Sequence, residues 1–229
     1  MEDIVKIIAH IRTDFPEKFG IPRQSGLHRG LSVIEFEKEY RTDEALRGIE
    51  GYSHLWLIWK FSKAERKGWS PTVRPPRLGG NIRMGVFATR SPFRPNPIGL
   101  SSVELCEVKK TENGSVLLVR GADLANGTPI YDIKPYLAFT DSHPDARGGF
   151  SDEKRDYRLS VEIPNELLLL LPEEKRPILA EILEQDPRPA YIDDPERIYG
   201  FPFAGFEVRF RVCGGDLFVT EVRKSMSEN

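Results

Sequence analysis

The chain has 229 residues, of which 39% are apolar and 30% charged, and its formal net charge at pH 7 is -2. This composition is typical of a folded globular protein with one large domain or two small ones. It argues against a transmembrane helix, because no apolar run approaches the ~18 residues that such a helix needs. The amino terminus lacks the basic start and long apolar middle of a secretory signal, so we expect a cytoplasmic protein.

Strand-like segments dominate the first 140 residues of the chain. They are short, rich in β-branched or aromatic residues, and bounded by Gly, Pro or Asn. The predicted strands are residues 4–11, 31–36, 52–61, 85–89, 98–108, 116–119 and 130–138. Residues 42–49 are the one predicted helix among them, with Thr42 as N-cap and Gly51 just beyond its end. The pattern predicts a closed or nearly closed β-barrel with this helix covering one side.

The composition changes after Phe139, where a polar and turn-rich stretch is typical of a linker or an exposed excursion. Beyond it, residues 158–163 alternate like a strand and residues 173–184 carry apolar side chains at helical spacing. Residues 206–212 and 217–222 form a predicted hairpin around a Cys-Gly-Gly-Asp turn. We therefore predict a mainly β fold: an N-terminal β-barrel domain over residues 1–145 and a small α+β domain over residues 146–229.

Metal and Rossmann-type sites have no support in the sequence. Cys106 and Cys213 each lie in an alternating apolar stretch, which predicts buried free thiols rather than a disulfide or metal ligands. The four histidines have no zinc-like spacing to each other, to a cysteine or to a nearby carboxylate. No P-loop, G-x-S-x-G or G-x-G-x-x-G motif occurs. Any nucleotide cofactor must therefore bind outside a Rossmann scaffold.

Residues 81–102, NIRMGVFATRSPFRPNPIGLSS, are the most unusual segment. Three arginines stand among three prolines, whose fixed φ stiffens the loop and holds the guanidinium groups in place. These residues are Arg83, Arg90, Arg94, Pro92, Pro95 and Pro97. A rigid cationic loop suits an anionic ligand. The alternative is an ordinary solvated turn, although such turns are usually richer in Ser, Asn and Asp.

Positive charge is concentrated around this loop. Residues 63–94 contain eight basic side chains and one acid, Glu65, although the whole chain is slightly acidic. The basic residues are Lys63, Arg66, Lys67, Arg74, Arg77, Arg83, Arg90 and Arg94. A local excess of this kind predicts a cationic face for phosphates or carboxylates, and RNA is favoured. The alternative is neutralisation by acidic segments elsewhere in the chain.

Three further segments carry groups suited to recognition. Residues 21–26 contain Arg23 and Gln24, which can read a purine edge or a carboxylate. Residues 125–136 open with an Asn-Gly turn and continue with polar and aromatic groups, which fits either a pocket wall or a surface strand. In residues 185–191 two prolines flank Arg188, with Tyr191 close behind, which fits either RNA stacking or a proline-terminated helix.

Long motifs in a fixed order relate this chain to a known family. They are PRQ from Pro22, SHLW from Ser53, WSPTVRPPRLGGN from Trp69, MGVFATRSPFRPNPIGLS from Met84, NGTPIYDIKPY from Asn126 and DPRPAY from Asp186. The chain resembles the TsaA-like proteins over nearly its whole length. The two-domain bacterial members of that family are S-adenosylmethionine-dependent tRNA methyltransferases.

The resemblance implies a β-barrel methyltransferase that acts on N6 of threonylcarbamoyladenosine beside the anticodon of tRNA. It also implies a homodimer that binds S-adenosylmethionine near the subunit interface, with a C-terminal domain that assists tRNA binding. By motif correspondence, the cofactor site comprises Pro22, Arg23, Gln24, Ser62, Lys63, Arg90, Leu100, Asn126, Gly127, Thr128 and Pro129. Asn126 replaces the Asp of the bacterial pattern, which removes a negative charge but keeps an oxygen that accepts hydrogen bonds. The Ser62–Lys63 pair stands where the family carries a variable polar pair.

The chemistry expected at such a site is an in-line displacement in which positioning supplies most of the catalysis. Asp132 is a candidate acceptor for the N6 proton, or else a structural residue at a strand end. Arg94, Arg188 and Tyr191 are candidate substrate-binding residues, and Arg90 and Arg94 suit carboxylates or phosphates. Two alternatives stay open: a non-catalytic RNA-binding β-barrel, and an enzyme for another small anionic substrate.

Overall fold

A computed structural model describes residues 5–63, 68–75, 78, 82–188 and 194–225. Its strands, numbered in chain order, are β1 (Ala9–Arg12), β2 (Leu31–Phe36), β3 (His54–Lys60), β4 (Thr72–Val73), β5 (Met84–Gly85), β6 (Ile98–Thr111), β7 (Gly114–Arg120), β8 (Thr128–Pro135), β9 (Ser160–Glu162), β10 (Tyr199–Phe203), β11 (Phe206–Cys213) and β12 (Asp216–Lys224). Its α-helices are α1 (Asp43–Leu46), α2 (Ala138–Asp141), α3 (Asn165–Leu168) and α4 (Arg176–Glu184). The predicted mainly β architecture is confirmed.

Six strands of the amino-terminal part pair into a closed barrel in the order β1-β2-β7-β6-β3-β8. Alternation along the strands sets the inside and the outside, since successive side chains point to opposite faces. In β3, Leu55, Leu57 and Trp59 are buried, whereas His54 is exposed and the side chains between them are half-buried. Each buried leucine contributes on the order of 1.5–3 kcal/mol. The apolar interior therefore fixes which strand residues face outward.

The second sheet has the order β10-β11-β12-β9, with β9 parallel to β12. Helix α4 packs against the same core through four side chains at helical spacing. These are Ile178, Leu179, Ile182 and Leu183, all of them buried. The predicted helix over residues 173–184 is present, with its first turn as a 3-10 turn at Glu173–Lys175.

A segment after β1 leaves the barrel and joins the second core. Phe15 is buried there, with its ring 5.9 Å from the ring of Phe203. Gly20 has a φ of +92°, and a Cβ at this position would lie 2.2 Å from Phe201, so only glycine fits. This crossing could not be predicted, because the apolar periodicity of so short a segment does not show which core it joins.

Several predicted elements differ from the structure. The strand predicted over residues 4–11 is β1, which begins only at Ala9. Three others differ in kind or in where they end. Residues 85–89 are not a strand: β5 ends at Gly85 and a 3-10 turn follows at Val86–Ala88. The helix over 42–49 is only α1, because Gly48 adopts a left-handed φ of 86° and a separate 3-10 turn begins at Ile49. The strand over 130–138 ends at Pro135. In each of these three cases the predicted range continued past a Gly or Pro, or through a turn that the sequence pattern did not reveal.

Thr42 does not cap α1 through its side chain, because its hydroxyl donates to the carboxylate of Glu44 instead. The prediction of buried thiols is also wrong, since both cysteines are free and exposed. Cys106 sits at the irregularity of the β6–β7 pairing, between Leu105 and Glu107. Cys213 ends β11 in the phase opposite to the buried Val212. Both cysteines thus lie in the outward phase of their strands, opposite to the buried Val103 and Val212, so alternation itself accounts for their exposure.

Candidate active site

Two predicted cofactor residues, far apart in the chain, meet in the structure. The Arg90 guanidinium donates a hydrogen bond to the side-chain oxygen of Gln24. The Gln24 amide in turn donates to the carbonyl of Arg23 at 2.5 Å. Arg90 is otherwise exposed. The contact orients a cationic group at the surface, which is what recognition of a carboxylate or phosphate needs.

The rest of the arginine loop is held by its own hydrogen bonds. Arg94 donates to the carbonyl oxygens of Thr89 at 3.0 Å and Ser91 at 3.3 Å. The Thr89 hydroxyl accepts from the backbone N–H of Ser91, and the Ser91 hydroxyl accepts from that of Phe93. These turns, together with the prolines, make the loop stiff, in line with the sequence argument. Arg94 braces the loop, whereas Arg90 reaches across to another segment.

Arg23 connects the cofactor segment to the carboxyl-terminal part of the chain. Its guanidinium donates to the carbonyl of Arg188 at 2.9 Å and to that of Asp186 at 3.3 Å. Arg188 is 8% exposed and binds the Asp186 carboxylate through two hydrogen bonds of 2.7 and 2.6 Å. The hydrogen bond with Asp186 raises the pKa of Arg188. Tyr191, the other predicted RNA-binding residue of this segment, lies outside the described residues.

The turn over residues 126–129 adjoins the end of β1. Asn126 accepts a hydrogen bond from the backbone N–H of Thr13 through its side-chain oxygen at 3.1 Å, so the amide fixes the turn. Gly127 has a φ of 77°, a conformation that Gly adopts without strain. Thr128 is buried, while Pro129 stands opposite His10 in the β1–β8 pairing. A carboxylate at position 126 has an oxygen for the same contact, so Asn and Asp are equivalent in this respect.

Asp132 and Leu100 flank Ile58 on the outer face of the barrel, on the two strands that neighbour β3. Leu100 is 56% exposed. The Asp132 carboxylate pairs with Lys134 at 2.7 Å and accepts from the backbone N–H of Ile133 at 2.9 Å. Ser62 and Lys63 follow the end of β3, half-buried and exposed respectively. Sequence reasoning thus selected two residues, Leu100 and Asp132, that share this face, although it did not foresee the Lys134 partner.

Asp123 is a residue that sequence reasoning missed. Its carboxylate accepts a hydrogen bond from the Ser101 hydroxyl at 2.5 Å, and Ser101 follows Leu100 in β6. Burial raises the pKa of Asp123, against the opposing effects of Ser101 and of the Arg90 charge. An acid between Ala122 and Leu124 was the available signal, because an ionisable residue within an apolar run is seldom left unpaired.

Within the described residues, no group of three or more His, Cys, Asp or Glu side chains is placed to hold a metal ion. No helix in the same part of the chain is long and apolar enough to cross a membrane.

Comparisons with known proteins assign the family. A model of the tRNA-methyltransferase O N-terminal domain matches residues 10–142, and a model of the C-terminal domain of the same family matches residues 156–225. The tRNA (adenine(37)-N6)-methyltransferase of Escherichia coli strain K12 is 44% identical, over 94% of this chain and 97% of its own. A putative S-adenosylmethionine-dependent methyltransferase of Pseudomonas aeruginosa PAO1 is 40% identical, over 95% and 96%.

A solved structure of the Pseudomonas aeruginosa member of this family superimposes with a TM-score of 0.79 at 32% identity and covers 98% of each chain. The matches extend over both parts of the chain in the same order. The chain therefore belongs to the tRNA-methyltransferase O family.

Proposed function

We propose that this protein transfers a methyl group from S-adenosylmethionine to N6 of adenosine 37 in tRNA. The observation that carries the proposal is the near full-length similarity to the Escherichia coli enzyme of that activity. The structure adds a physical basis, because the Gln24–Arg90 contact holds a cation beside the other motif residues. S-adenosylmethionine supplies an activated methyl group on a sulfonium. The protein's part is to hold the acceptor nitrogen in line with it.

The residues present fit such a cofactor. The Arg90 guanidinium suits the carboxylate of its methionine part, and the exposed Leu100 offers an apolar surface for a base. The turn at Asn126 and Gly127 exposes backbone groups at the end of β1 that can bind polar groups of the cofactor. Pro22, Arg23, Ser62, Lys63, Thr128 and Pro129 complete the proposed site. Arg94 braces the arginine loop through the carbonyls of Thr89 and Ser91, and it is also our candidate for a substrate contact.

The proposed substrate is adenosine 37 that already carries an N6-threonylcarbamoyl group. The support is chemical, because the threonylcarbamoyl group adds a carboxylate and the arginine loop carries the exposed guanidinium groups of Arg83 and Arg90. The same charges favour the phosphates of the anticodon arm. We assign the cofactor and the chemistry to residues 1–145, and assistance in tRNA binding to residues 146–229. Tyr191 is the proposed RNA contact there, whereas Arg188 is held inside by Asp186 and positions its segment.

The outer face of β3, β6 and β8 supports a homodimer as the working unit. Ile98 and Leu100, which share one face of β6, are 42% and 56% exposed. Large apolar side chains exposed together are typical of an interface. A second copy on this face covers Leu100 and adds its own groups to the cofactor site. Light scattering after gel filtration tests this: a dimer is expected for the wild type and a monomer for Ile98→Glu.

Calorimetry with S-adenosylmethionine and S-adenosylhomocysteine tests the enzyme against a non-catalytic RNA-binding protein. Both alternatives explain the basic loop, but only the enzyme has a saturable cofactor site. We expect one site per subunit. A folded protein that binds tRNA but neither of these ligands is instead an RNA-binding module. A cytoplasmic location accords with tRNA as the substrate.

A further inference from the structure

Three large apolar side chains are exposed around the short β4–β5 ribbon, where the arginine loop begins. Trp69 is 53% exposed shortly before β4, Ile82 is 53% exposed shortly before β5, and Phe87 is 73% exposed shortly after β5. Because β4 and β5 pair with each other, the three side chains lie on neighbouring segments. Large apolar groups that stay in water together are typical of a binding surface.

Phe87 is the most exposed of the three, and the backbone on both sides of it is fixed. Val86 is 1% exposed and donates its backbone N–H to the Pro71 carbonyl at 3.0 Å. Thr89 donates both its backbone N–H and its hydroxyl to the Val86 carbonyl. The turn therefore holds the Phe87 ring in a set place at the surface. A planar ligand that stacks on a ring held in this way loses less free energy to ordering the protein.

Cations surround this ring. The guanidinium carbon of Arg94 lies 5.9 Å from the centroid of the Phe87 ring, within the range of a cation–π contact, and Arg94 is itself held by two backbone carbonyl groups of the loop. Arg83 and Arg90, which precede and follow Phe87 in the loop, are both exposed. An open aromatic ring among cations is the composition of a site for single-stranded nucleic acid, because the ring stacks on a base and the cations attract its phosphates.

The local charge favours RNA over a protein partner for this surface, since residues 63–94 contain eight basic side chains and one acid. Unpaired bases in RNA loops are the ones that proteins stack on aromatic side chains. We propose that Phe87 stacks on an unpaired base of the anticodon loop and so positions this loop while adenosine 37 enters the site. The inference rests on the proposed function, because it takes tRNA as the substrate. It makes Phe87 a substrate-positioning residue beside the cofactor residue Arg90.

The test measures binding of an anticodon stem–loop RNA by fluorescence anisotropy at several salt concentrations. Phe87→Ala should weaken binding by about 5–150-fold, the usual loss for one stacked base. The dependence of affinity on salt should stay as in the wild type, because a phenyl ring neutralises no phosphate. Phe87→Tyr should bind like the wild type, whereas Phe87→Leu, which is apolar but has no π face, should bind as weakly as Phe87→Ala. Full binding by Phe87→Ala or by Phe87→Leu overturns the inference.

A matched control is Phe139→Ala. Phe139 is 85% exposed, but its helix α2 carries Asp141 and no basic residue, so its loss should leave RNA binding unchanged. An equal loss in Phe139→Ala and Phe87→Ala contradicts a specific role of the loop. Phe87→Ala should also keep the wild-type affinity for S-adenosylmethionine in calorimetry and the wild-type elution volume in gel filtration. A loss of cofactor affinity or a change of oligomeric state places Phe87 at the cofactor or at a second copy of the chain, and contradicts stacking on RNA.

A series of stem–loop RNAs that each lack one base of the loop identifies the stacked base. Where the missing base is the one on Phe87, the wild type and Phe87→Ala should bind with equal affinity, because the contact is already lost. A difference that persists for every RNA of the series overturns the inference. A wild type that neither binds the complete stem–loop nor methylates tRNA contradicts the proposed function instead, so the two failures are distinguishable.

Discussion

Replacing Arg188 by methionine tests whether this residue is an internal ion-pair partner. Arg188 makes two charge-assisted hydrogen bonds to Asp186, whose residue exposure is 1%. Removing one partner of a buried pair costs about 3–5 kcal/mol, because the remaining charge stays in a medium of low polarity. The Tyr157 hydroxyl, which donates to Asp186 at 3.1 Å, offsets part of this cost. We therefore expect a loss near 3 kcal/mol in urea unfolding.

A matched control is available on the second sheet. Arg209 pairs with Glu221 at 3.3 Å, with both side chains 40% exposed, and such surface pairs are worth about 0–1 kcal/mol. Arg209→Met should therefore cost less than about 1 kcal/mol. In the double variant Asp186→Asn, Arg188→Met, much of the stability lost in Arg188→Met should return, because no charge remains buried. If Arg188→Met is as stable as Arg209→Met but binds tRNA more weakly, the internal role is wrong and Arg188 is an RNA contact.

Three further predictions concern other parts of the molecule. Burial lowers the pKa of His28 from 6.5, and its Nδ1 accepts from Gly30 N–H while Nε2 contacts the Ala122 carbonyl, so the ring is neutral when folded. Below pH 6.5 the unfolded chain protonates the His28 ring and the folded chain does not, so the free energy of unfolding is highest above pH 6.5 and falls as the pH drops below it. In His28→Gln the free energy of unfolding, measured with urea across this range, should depend less steeply on pH. An equally steep dependence contradicts the assignment. In Gly99→Ala the new Cβ lies 2.2 Å from the Trp59 side chain, so the indole must move. Urea unfolding should show a stability loss of ~1–3 kcal/mol. The control Gly85→Ala should lose almost none, because nothing lies within 4 Å of a Cβ at that position. Arg90→Ala should weaken S-adenosylmethionine binding by about 1.5–3 kcal/mol in calorimetry, the worth of one charge-assisted contact, and unchanged affinity removes Arg90 from the site.

The sequence predicted most of what short-range pattern controls. Strand β2 matches its prediction over the same residues, and helix α4 lies within the predicted range. Apolar alternation and proline rigidity are local properties, so they can be read from a single segment. The long motifs also led to the family, because their order and length are specific.

What the sequence did not reveal depends on contacts between distant segments. The hydrogen bond from Arg90 to Gln24, the ties from Arg23 to residues 186 and 188, and the entry of Phe15 into the second core all join separate parts of the chain. The buried phase of β6 and β11, which leaves Cys106 and Cys213 exposed, is set by packing against neighbouring strands. Asp123 was missed because it lies between β7 and β8, whereas its partner Ser101 lies in β6.

The most direct test of the central claim is mass spectrometry of the nucleosides of tRNA treated with the purified protein and S-adenosylmethionine. Two tRNA samples are compared, one carrying threonylcarbamoyladenosine at position 37 and one with unmodified adenosine there. We predict that the first gains a single methyl group, located on N6 of threonylcarbamoyladenosine, and that the second gains none. Equal methylation of both samples contradicts the proposed substrate. Absence of methylation in both, with the protein folded and the cofactor present, contradicts the proposed activity.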